Sequence, residues 1–254
     1  MFRKLCLVYP KVDKRLKIDL LLLIAVLLPP RALTELGEFI EERTVETPYG
    51  VVGPLALRKL AETCGVWIQP YSGLPTRTDP RATMHAAHQL GVTKVINWDT
   101  GVAVNPELQR GETVIAVDYI DWTRQQPLSF GYAADANEAD MAAGFSPLLT
   151  LEMHNVLPGA RGAIYLATDG PRRETPAEAR MFRTWGVDVI GHNLAPEVAL
   201  ATELGLDYGG LVTISDRSAD QSVQPVEGAV RAGLEQTIHA LPKLIKALAL
   251  HTES

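Results

Sequence analysis

The pattern of residues between Gly170 and Gly205 constrains the fold more than any other part of the chain. Thr175, Pro176 and Glu178 have the spacing of a helix N-cap, a first helical position and the third residue of a capping box. Apolar residues then recur at helical spacing until Gly186, a residue type suited to end a helix. This part of the run therefore predicts a capped amphipathic helix.

The second half of the same run predicts a strand and another helix. The apolar segment 187–191 is typical of a short buried strand, and residues 193–205 begin a helix with a proline near its start and a glycine at its end. Ligands of α/β proteins lie at such element ends. The polar residues placed there are Arg172, Arg173, Glu174, His192 and Asn193.

The run, GPRRETPAEARMFRTWGVDVIGHNLAPEVALATELG, resembles a pattern of the trimeric nucleoside phosphorylases, in the branch of methylthioadenosine and purine nucleoside phosphorylases. That pattern reads GPRFETPAE-x-RMFR, then GADV-x-GM-(T/S), then PEV-x-LA-x-E-x-G. The resemblance implies an α/β, three-layer nucleoside phosphorylase-like fold, with a central mixed sheet flanked by helices. It also implies a homotrimer, in which the partner-facing histidine position would be Glu138.

Size and composition are consistent with one domain. The chain has 254 residues, and we predict an N-terminal extension at 1–17 followed by a single nucleoside phosphorylase-like domain at 18–254. A formal net charge of −6 argues against a nucleic-acid partner. Cys6 and Cys64 lie far apart, so we expect no metal site, no disulfide framework and a reducing, cytoplasmic location. We expect no cofactor.

The apolar run Leu20–Leu28 can be interpreted either as part of a signal peptide or as a buried strand. It follows a basic segment, as in a signal peptide, but a bilayer span needs roughly 20 apolar residues. Pro29-Pro30-Arg31 also follows it where a small-residue cleavage site would be needed. We interpret the run as a central strand buried on both faces, and we predict no membrane partner.

Alternating patterns predict the remaining elements. A turn at 47–50 joins strands of a meander between Val45 and Gly73. Helices are expected at Ala32–Glu42, Asp79–Gly91, Ser146–Val156 and Val223–Leu250, strands at Val92–Asn97, Glu112–Ile120, Arg161–Thr168 and Leu206–Ile214, and a mobile loop at Gln125–Asp140.

Three residues correspond to the family's purine pocket. Asp216 stands where the methylthioadenosine enzymes have Asp, which implies adenine-type ligands, although Ser218 replaces a second Asp and weakens that preference. Glu174 matches a glutamate that contacts purine in other members. The alternative is structural: Asp216 would cap a turn, and Glu174 would be a charge at a helix N-terminus.

The ribose pocket is altered at two positions. His192 replaces a methionine that packs under the sugar, and Arg173 replaces a phenylalanine that stacks on the base. A histidine at a strand end is also often only a structural hydrogen-bonding group, so both roles stay open for His192.

The resemblance implies that the phosphate pocket is dismantled. A glycine-rich turn after the first strand is replaced by residues 27–31, whose prolines have no amide hydrogen to donate. Tyr71-Ser72-Gly73 replaces an Arg-His-Gly loop, and Trp98-Asp99-Thr100-Gly101 replaces a loop of the pattern T-(A/N)-A-(A/C)-G, which has no carboxylate. Asn193 replaces a threonine. We therefore treat Tyr71, Trp98 and Asn193 as candidate ligand contacts.

The leading hypothesis is a divergent enzyme that cleaves the N-glycosidic bond of a purine nucleoside, or of a related small molecule, without phosphate. Asp99 would be the general base, Asp216 the acid at the purine ring, and His192 a third catalytic candidate. A repurposed reaction in the same pocket is a variant of this hypothesis. The alternatives are a working phosphorylase with a rearranged phosphate site and a non-catalytic binding or assembly protein.

Overall fold

The computed structural model describes residues 16–70, 79–124, 129–131, 144–221 and 226–250. The strands in these ranges are β1 (Leu20–Ile24), β2 (Glu38–Thr47), β3 (Gly50–Ala61), β4 (Cys64–Gln69), β5 (Lys94–Ala103), β6 (Thr113–Asp121), β7 (Gly162–Ala167), β8 (Val189–Gly191) and β9 (Asp207–Arg217). The α-helices are α1 (Pro80–Gln89), α2 (Pro147–Val156), α3 (Pro176–Thr184), α4 (Glu197–Glu203) and α5 (Ala229–Leu250), and a 3-10 helix spans Pro30–Leu36.

Within the described ranges, the strands form one mixed sheet in the order β2-β3-β4-β1-β5-β8-β7-β6-β9, and β5 also pairs with β9. This extra pairing closes the strands from β5 to β9 into a ring. β1 runs parallel to β4 and β5, whereas β2, β3 and β4 form an antiparallel meander. The predicted fold class, α/β with a central mixed sheet flanked by helices, is confirmed.

The apolar run at β1 is buried on both faces, as predicted. Leu21 and Leu23 pack in a cluster with residues of α1 and α4, whereas Leu20 and Leu22 pack in a second cluster with residues of α2 and α5. Alternate side chains of a strand point to opposite faces, so a strand covered on both sides can be apolar throughout. The two clusters place helices on both sides of the sheet.

Two predicted bounds near β1 are wrong. The strand ends at Ile24, before the prolines, and the helix expected at Ala32–Glu42 is a 3-10 helix that ends at Leu36. Gly37 separates it from β2 because its φ of 99° suits glycine, and a Cβ there would lie 2.3 Å from the Lys59 carbonyl oxygen.

The most consequential wrong bound concerns β5. We predicted a strand at Val92–Asn97 followed by a loop, but β5 continues to Ala103, so Trp98–Gly101 is strand. Pairing with β9 explains the extra length, because partners run from Lys94 with Asp207 to Ala103 with Arg217. Single-chain periodicity does not reveal such long-range pairing.

The other bounds differ mainly at their ends. The expected Val223–Leu250 helix begins at Ala229, and the expected Leu206–Ile214 strand reaches Arg217. Of the N-terminal extension, residues 1–15 lie outside the described residues; Lys17 forms a β-bridge with Cys64. Among the helices of the described ranges, none is both long and apolar enough to cross a bilayer.

Candidate active site

The loop before α3 is fixed by the capping box that the sequence predicts. The Thr175 hydroxyl accepts from the Glu178 amide at 3.2 Å, and the Glu178 carboxylate accepts from the Thr175 amide at 2.7 Å. Arg172 donates two hydrogen bonds to the same carboxylate, at 2.6 and 2.8 Å. This pairing, helped by the Thr175 amide, lowers the pKa of Glu178 to about 2. The loop that carries Arg173 and Glu174 is therefore held at both its side chains and its backbone.

Arg173 joins this loop to the end of β9. Its guanidinium donates to the Asp216 carboxylate at 2.7 Å, to the Glu174 carboxylate at 3.2 Å and to the Arg217 carbonyl at 2.6 Å. Glu174 also accepts from the Ala219 amide at 2.8 Å. The Arg173 and Asp216 side chains are 48% and 46% exposed and are open to a ligand, whereas the Glu174 side chain is 3% exposed. The structure thus brings together three of the predicted site residues.

His192 lies at the end of β8 with its ring orientation fixed. Its Nδ1 lies 2.8 Å from the Thr168 carbonyl oxygen, which can only accept, so Nδ1 carries the hydrogen. The lone pair of the neutral imidazole is then on Nε2. The ring packs on Gly170, where a Cβ would lie 3.3 Å from the ring. Glycine at 170 therefore makes room for the imidazole.

Asp99, on β5, is 1% exposed and accepts hydrogen bonds from donors on three elements. One oxygen accepts from the Thr100 amide and the Asn193 side-chain amide, both at 2.7 Å. The other accepts from the Tyr165 hydroxyl at 3.0 Å and from the Asn193 and His192 amides at 3.2 and 3.3 Å. Burial raises the pKa of Asp99, and these hydrogen bonds oppose that rise.

These contacts change the role that we predicted for Asp99. A general base needs a lone pair directed at the reacting proton, whereas both oxygens of Asp99 already bind protein donors. The geometry instead makes Asp99 a positioning residue, because it orders the backbone at His192 and the side chain of Asn193. Asn193 is in turn held by Asn97, whose side-chain amide donates to its carbonyl oxygen at 2.6 Å.

Trp98 does not line this site. As the neighbour of Asp99 in the extended strand β5, it points to the other face of the sheet. Its indole packs in the cluster beside α5, is 0% exposed and donates to the Thr213 hydroxyl at 3.0 Å. The prediction of Trp98 as a ligand contact is therefore wrong, and the cause is the loop that we expected in place of strand.

Ser218 is also buried, at 1% exposure. Its hydroxyl donates to Asp220 at 2.8 Å and accepts from Gln221 at 2.8 Å, next to the ion pair between Arg183 and Asp220. These contacts give Ser218 a structural role in the turn after β9 rather than the ligand contact we predicted. Tyr71 lies outside the described residues, as does Glu138.

The segment after β1 faces α5. Leu27, Leu28, Pro29 and Arg31 line a cavity of about 940 Å³ together with α5 residues such as Leu234. A smaller cavity of about 180 Å³ adjoins the Arg173 loop, and Thr168 and Glu174 are among its lining residues. Among the described residues, no cluster of three or more histidine, cysteine or acidic side chains could hold a metal ion.

Sequence reasoning missed three partners of the site residues: Tyr165, Thr168 and Glu197. Tyr165 is a buried strand residue whose only polar atom binds Asp99, and nothing in its local pattern marks it. Thr168 acts through its backbone carbonyl. Glu197 is the first residue of α4, and its carboxyl interacts electrostatically with Asp99. The sequence signal for it is a charged residue that follows a buried turn.

Comparison with known proteins agrees with this architecture. Residues 24–249 match the model of the phosphorylase superfamily. An S-methyl-5'-thioadenosine phosphorylase of Pyrococcus horikoshii is 36% identical over 185 residues, covering 68% of this chain and 70% of the relative. A 6-oxopurine nucleoside phosphorylase of Pyrococcus furiosus is 31% identical over 200 residues, covering 71% of this chain and 74% of the relative.

The fold also matches a crystal structure of a methylthioadenosine phosphorylase from an antarctic soil metagenomic library. The TM-score is 0.80 at 18% identity, with 93% of this chain and 88% of the other chain covered. At that identity the match concerns the fold alone, whereas the family model spans most of the sequence. The chain therefore belongs to the phosphorylase superfamily.

Proposed function

We propose that this protein cleaves the N-glycosidic bond of a purine nucleoside, or of a related small molecule, with water in place of phosphate. One observation carries the proposal: the Asp99 carboxylate binds the amides of His192 and Asn193 and the side chain of Asn193. The family resemblance assigns one residue of this turn, Asn193, to the phosphate pocket. A built-in anion already occupies its hydrogen-bond donors.

Electrostatics favours the same conclusion. A phosphate ion placed near Asp99 would face a carboxylate, and two unit charges 4 Å apart repel by about 1 kcal/mol in water and about 4 kcal/mol near a protein surface. The prolines after β1 supply no amide hydrogen that could compensate. Water carries no charge and needs no such pocket.

The roles of the residues follow from their contacts. Nε2 of His192 takes a proton from the attacking water while the water oxygen bonds to the anomeric carbon. The carbon–nitrogen bond breaks, and its electron pair moves into the purine ring. The charged group formed by Arg173, Glu174 and Asp216 contacts the departing base. The proton held by His192 then returns to the base or to solvent.

The test is base release from inosine, adenosine and methylthioadenosine, measured in phosphate-free buffer and again with added inorganic phosphate. We expect the same release rate in both buffers. H192Q should lower kcat by about 10²- to 10⁴-fold, the range typical of a general base. H88Q, on the exposed part of α1, is the matched control and should leave kcat unchanged. Release that requires phosphate would contradict the proposal.

Phosphorolysis is the second candidate, because the relatives compared above are named as phosphorylases. The variant D99A restores the residue of the family pattern and frees the donors of the turn. If Asp99 blocks phosphate, D99A should gain a dependence on phosphate that the wild type lacks. Phosphate dependence in the wild type would favour this second candidate. Binding of nucleosides without any turnover would instead indicate a non-catalytic protein.

Assembly and location remain predictions. A homotrimer would place residues of a neighbouring chain near the site, and light scattering coupled to size-exclusion chromatography measures its mass directly. A monomeric mass would contradict the trimer. Fractionation of cells that produce the protein would test the cytoplasmic location.

A further inference from the structure

The carboxyl of Glu197 adjoins the site, although it has no role in the proposed reaction. Glu197 is the first residue of α4, and its Oε2 atom is buried without a hydrogen-bond partner among the described residues. The helix follows residues 192–196, the β8–α4 turn, and the Val198 amide donates to the Leu194 carbonyl at 3.0 Å. Glu197 is therefore joined directly to the turn that carries His192.

Asp99 and Glu197 differ in the number of donors around their carboxyl groups. The two oxygens of Asp99 accept five hydrogen bonds from described residues of the strands and the β8–α4 turn. The carboxyl of Glu197 interacts with its own backbone amide, and Oε2 has no donor in the described ranges. Donors stabilise an ionised carboxylate, whereas burial without donors stabilises a protonated one. The donors therefore favour a negative charge on Asp99 and a proton on Glu197.

Two polar neighbours of Glu197 favour the same distribution. Asn97 donates to the Tyr208 hydroxyl at 2.9 Å, and Tyr208 interacts electrostatically with Glu197. The Oδ1 atom of Asn97 is buried and, like Oε2 of Glu197, has no partner among the residues that the structure describes. Both of these atoms are acceptors. A protonated Glu197 supplies a donor to this region, whereas an ionised Glu197 supplies only acceptors.

The charged groups around Glu197 come from several elements. Asp99 lies on β5 and Asp121 ends β6, and from α1, which packs against α4, His85 lies toward Glu203 at the far end of α4. Burial, together with the smaller effect of the negative charges of Asp99 and Asp121, raises the pKa of Glu197 to about 8. Within the described part of the chain no cation pairs with Glu197, so a negative charge on it would be uncompensated.

We propose that Glu197 is a positioning residue of the site. It keeps its proton so that Asp99 is not faced by a second buried charge, and loss of this proton displaces the β8–α4 turn and the His192 ring. Like charges repel more strongly in a medium of low dielectric constant than in water. Because the His192 amide binds Asp99, movement of that carboxylate reaches His192 through the backbone. Only the effect on base release rests on the proposed function, in which His192 is the base.

Carbon-detected NMR of protein with ¹³C-labelled aspartate and glutamate carboxyls tests where the proton lies, without any turnover. We expect the Glu197 signal to titrate with a pKa of about 8 and the Asp99 signal to be that of a carboxylate at neutral pH. The amide signals of His192 and Asn193 should shift with the same midpoint as Glu197. In D99N the pKa of Glu197 should fall by about half a pH unit or more, because a negative neighbour is removed.

The pH profile of base release tests the consequence for the site. In the wild type, kcat should fall by about tenfold per pH unit above about pH 8. E197Q, the conservative variant without a charge, should lack this alkaline fall. E62Q, at an exposed position after β3, is the matched control and should keep it. Circular dichroism at each pH confines the comparison to folded protein.

Three results would overturn the inference. They are a proton on Asp99 rather than on Glu197 at neutral pH, an unchanged pKa of Glu197 in D99N, and an equal alkaline fall of kcat in the wild type and E197Q. If no nucleoside releases its base at any pH, the proposed function fails. The NMR titrations then still decide whether Glu197 holds the proton and whether its loss moves the turn.

Discussion

Glu197 provides the sharpest test of the electrostatics beneath the site. It is the first residue of α4, and its Oε2 atom is buried without a hydrogen-bond partner among the described residues. Burial, together with the smaller effect of the negative charges of Asp99 and Asp121, raises the pKa of this carboxyl from 4.5 to about 8. At neutral pH the folded protein therefore holds a proton on Glu197 that the unfolded chain has released.

The sign and size of the effect follow from linkage. The folded state binds more protons at Glu197 than the unfolded state between the two pKa values, so the contribution of Glu197 to stability is greatest below about pH 4.5 and falls as the pH rises toward 8. The loss is about 1.4 kcal/mol per pH unit, or about 4 kcal/mol between about pH 5 and pH 8. The variant E197Q is neutral at every pH and has no such loss.

The assay is urea unfolding of the wild type and of E197Q at a series of pH values from about 5 to 8. We expect the free energy of unfolding of E197Q, relative to that of the wild type, to rise by about 2–4 kcal/mol over this range. E62Q, at an exposed position after β3, should keep the wild-type slope. Parallel pH profiles for the wild type and E197Q would refute the reasoning, because they would mean that Glu197 releases its proton equally in both states.

Three further changes have defined outcomes. The ion pair with Arg183 lowers the pKa of Asp220 to about 2, so D220N should lower the free energy of unfolding by about 1–2 kcal/mol at neutral pH. Below about pH 4 the free energy of unfolding of D220N should also fall less steeply with pH than that of the wild type. G101A should destabilise the protein by about 1–3 kcal/mol in urea unfolding, because its Cβ would lie 2.4 Å from a methyl group of Val189. T175A should cost about 1 kcal/mol and lower the melting temperature by a few degrees, measured by calorimetry, because it removes one half of the capping box.

Local chemistry made much of the fold predictable. The helix α3 begins where the Thr175 capping box places it, and β1 lies where a continuous apolar run placed it. Both signals act over a few residues and need no partner elsewhere. The predicted length of β5 was wrong because the length depends on pairing with β9, more than a hundred residues away in the chain.

The site was predictable only in part, for the same reason. The residues at the ends of β8 and β9 were identified because α/β proteins place ligands at the ends of their elements and because the family resemblance covers these positions. Trp98 was assigned to the site because a loop leaves the direction of a side chain open, whereas a strand fixes it. Ser218 was assigned because the family resemblance has a second Asp at this position, whereas its contact with Arg183 of α3 could not be predicted from the local sequence.

Asp99 shows most clearly how a tertiary contact changes the meaning of a residue. In the sequence, a carboxylate at this position suggests a base or a charge that repels an anion. In the structure, the hydroxyl of Tyr165 and the amides of the β8–α4 turn bind both oxygens, which argues against the role of a base. The role of a charge that repels an anion stays a prediction. In the proposed function, Asp99 both repels phosphate and orders the backbone at His192, so one carboxylate links the change of acceptor to the placement of the proposed base.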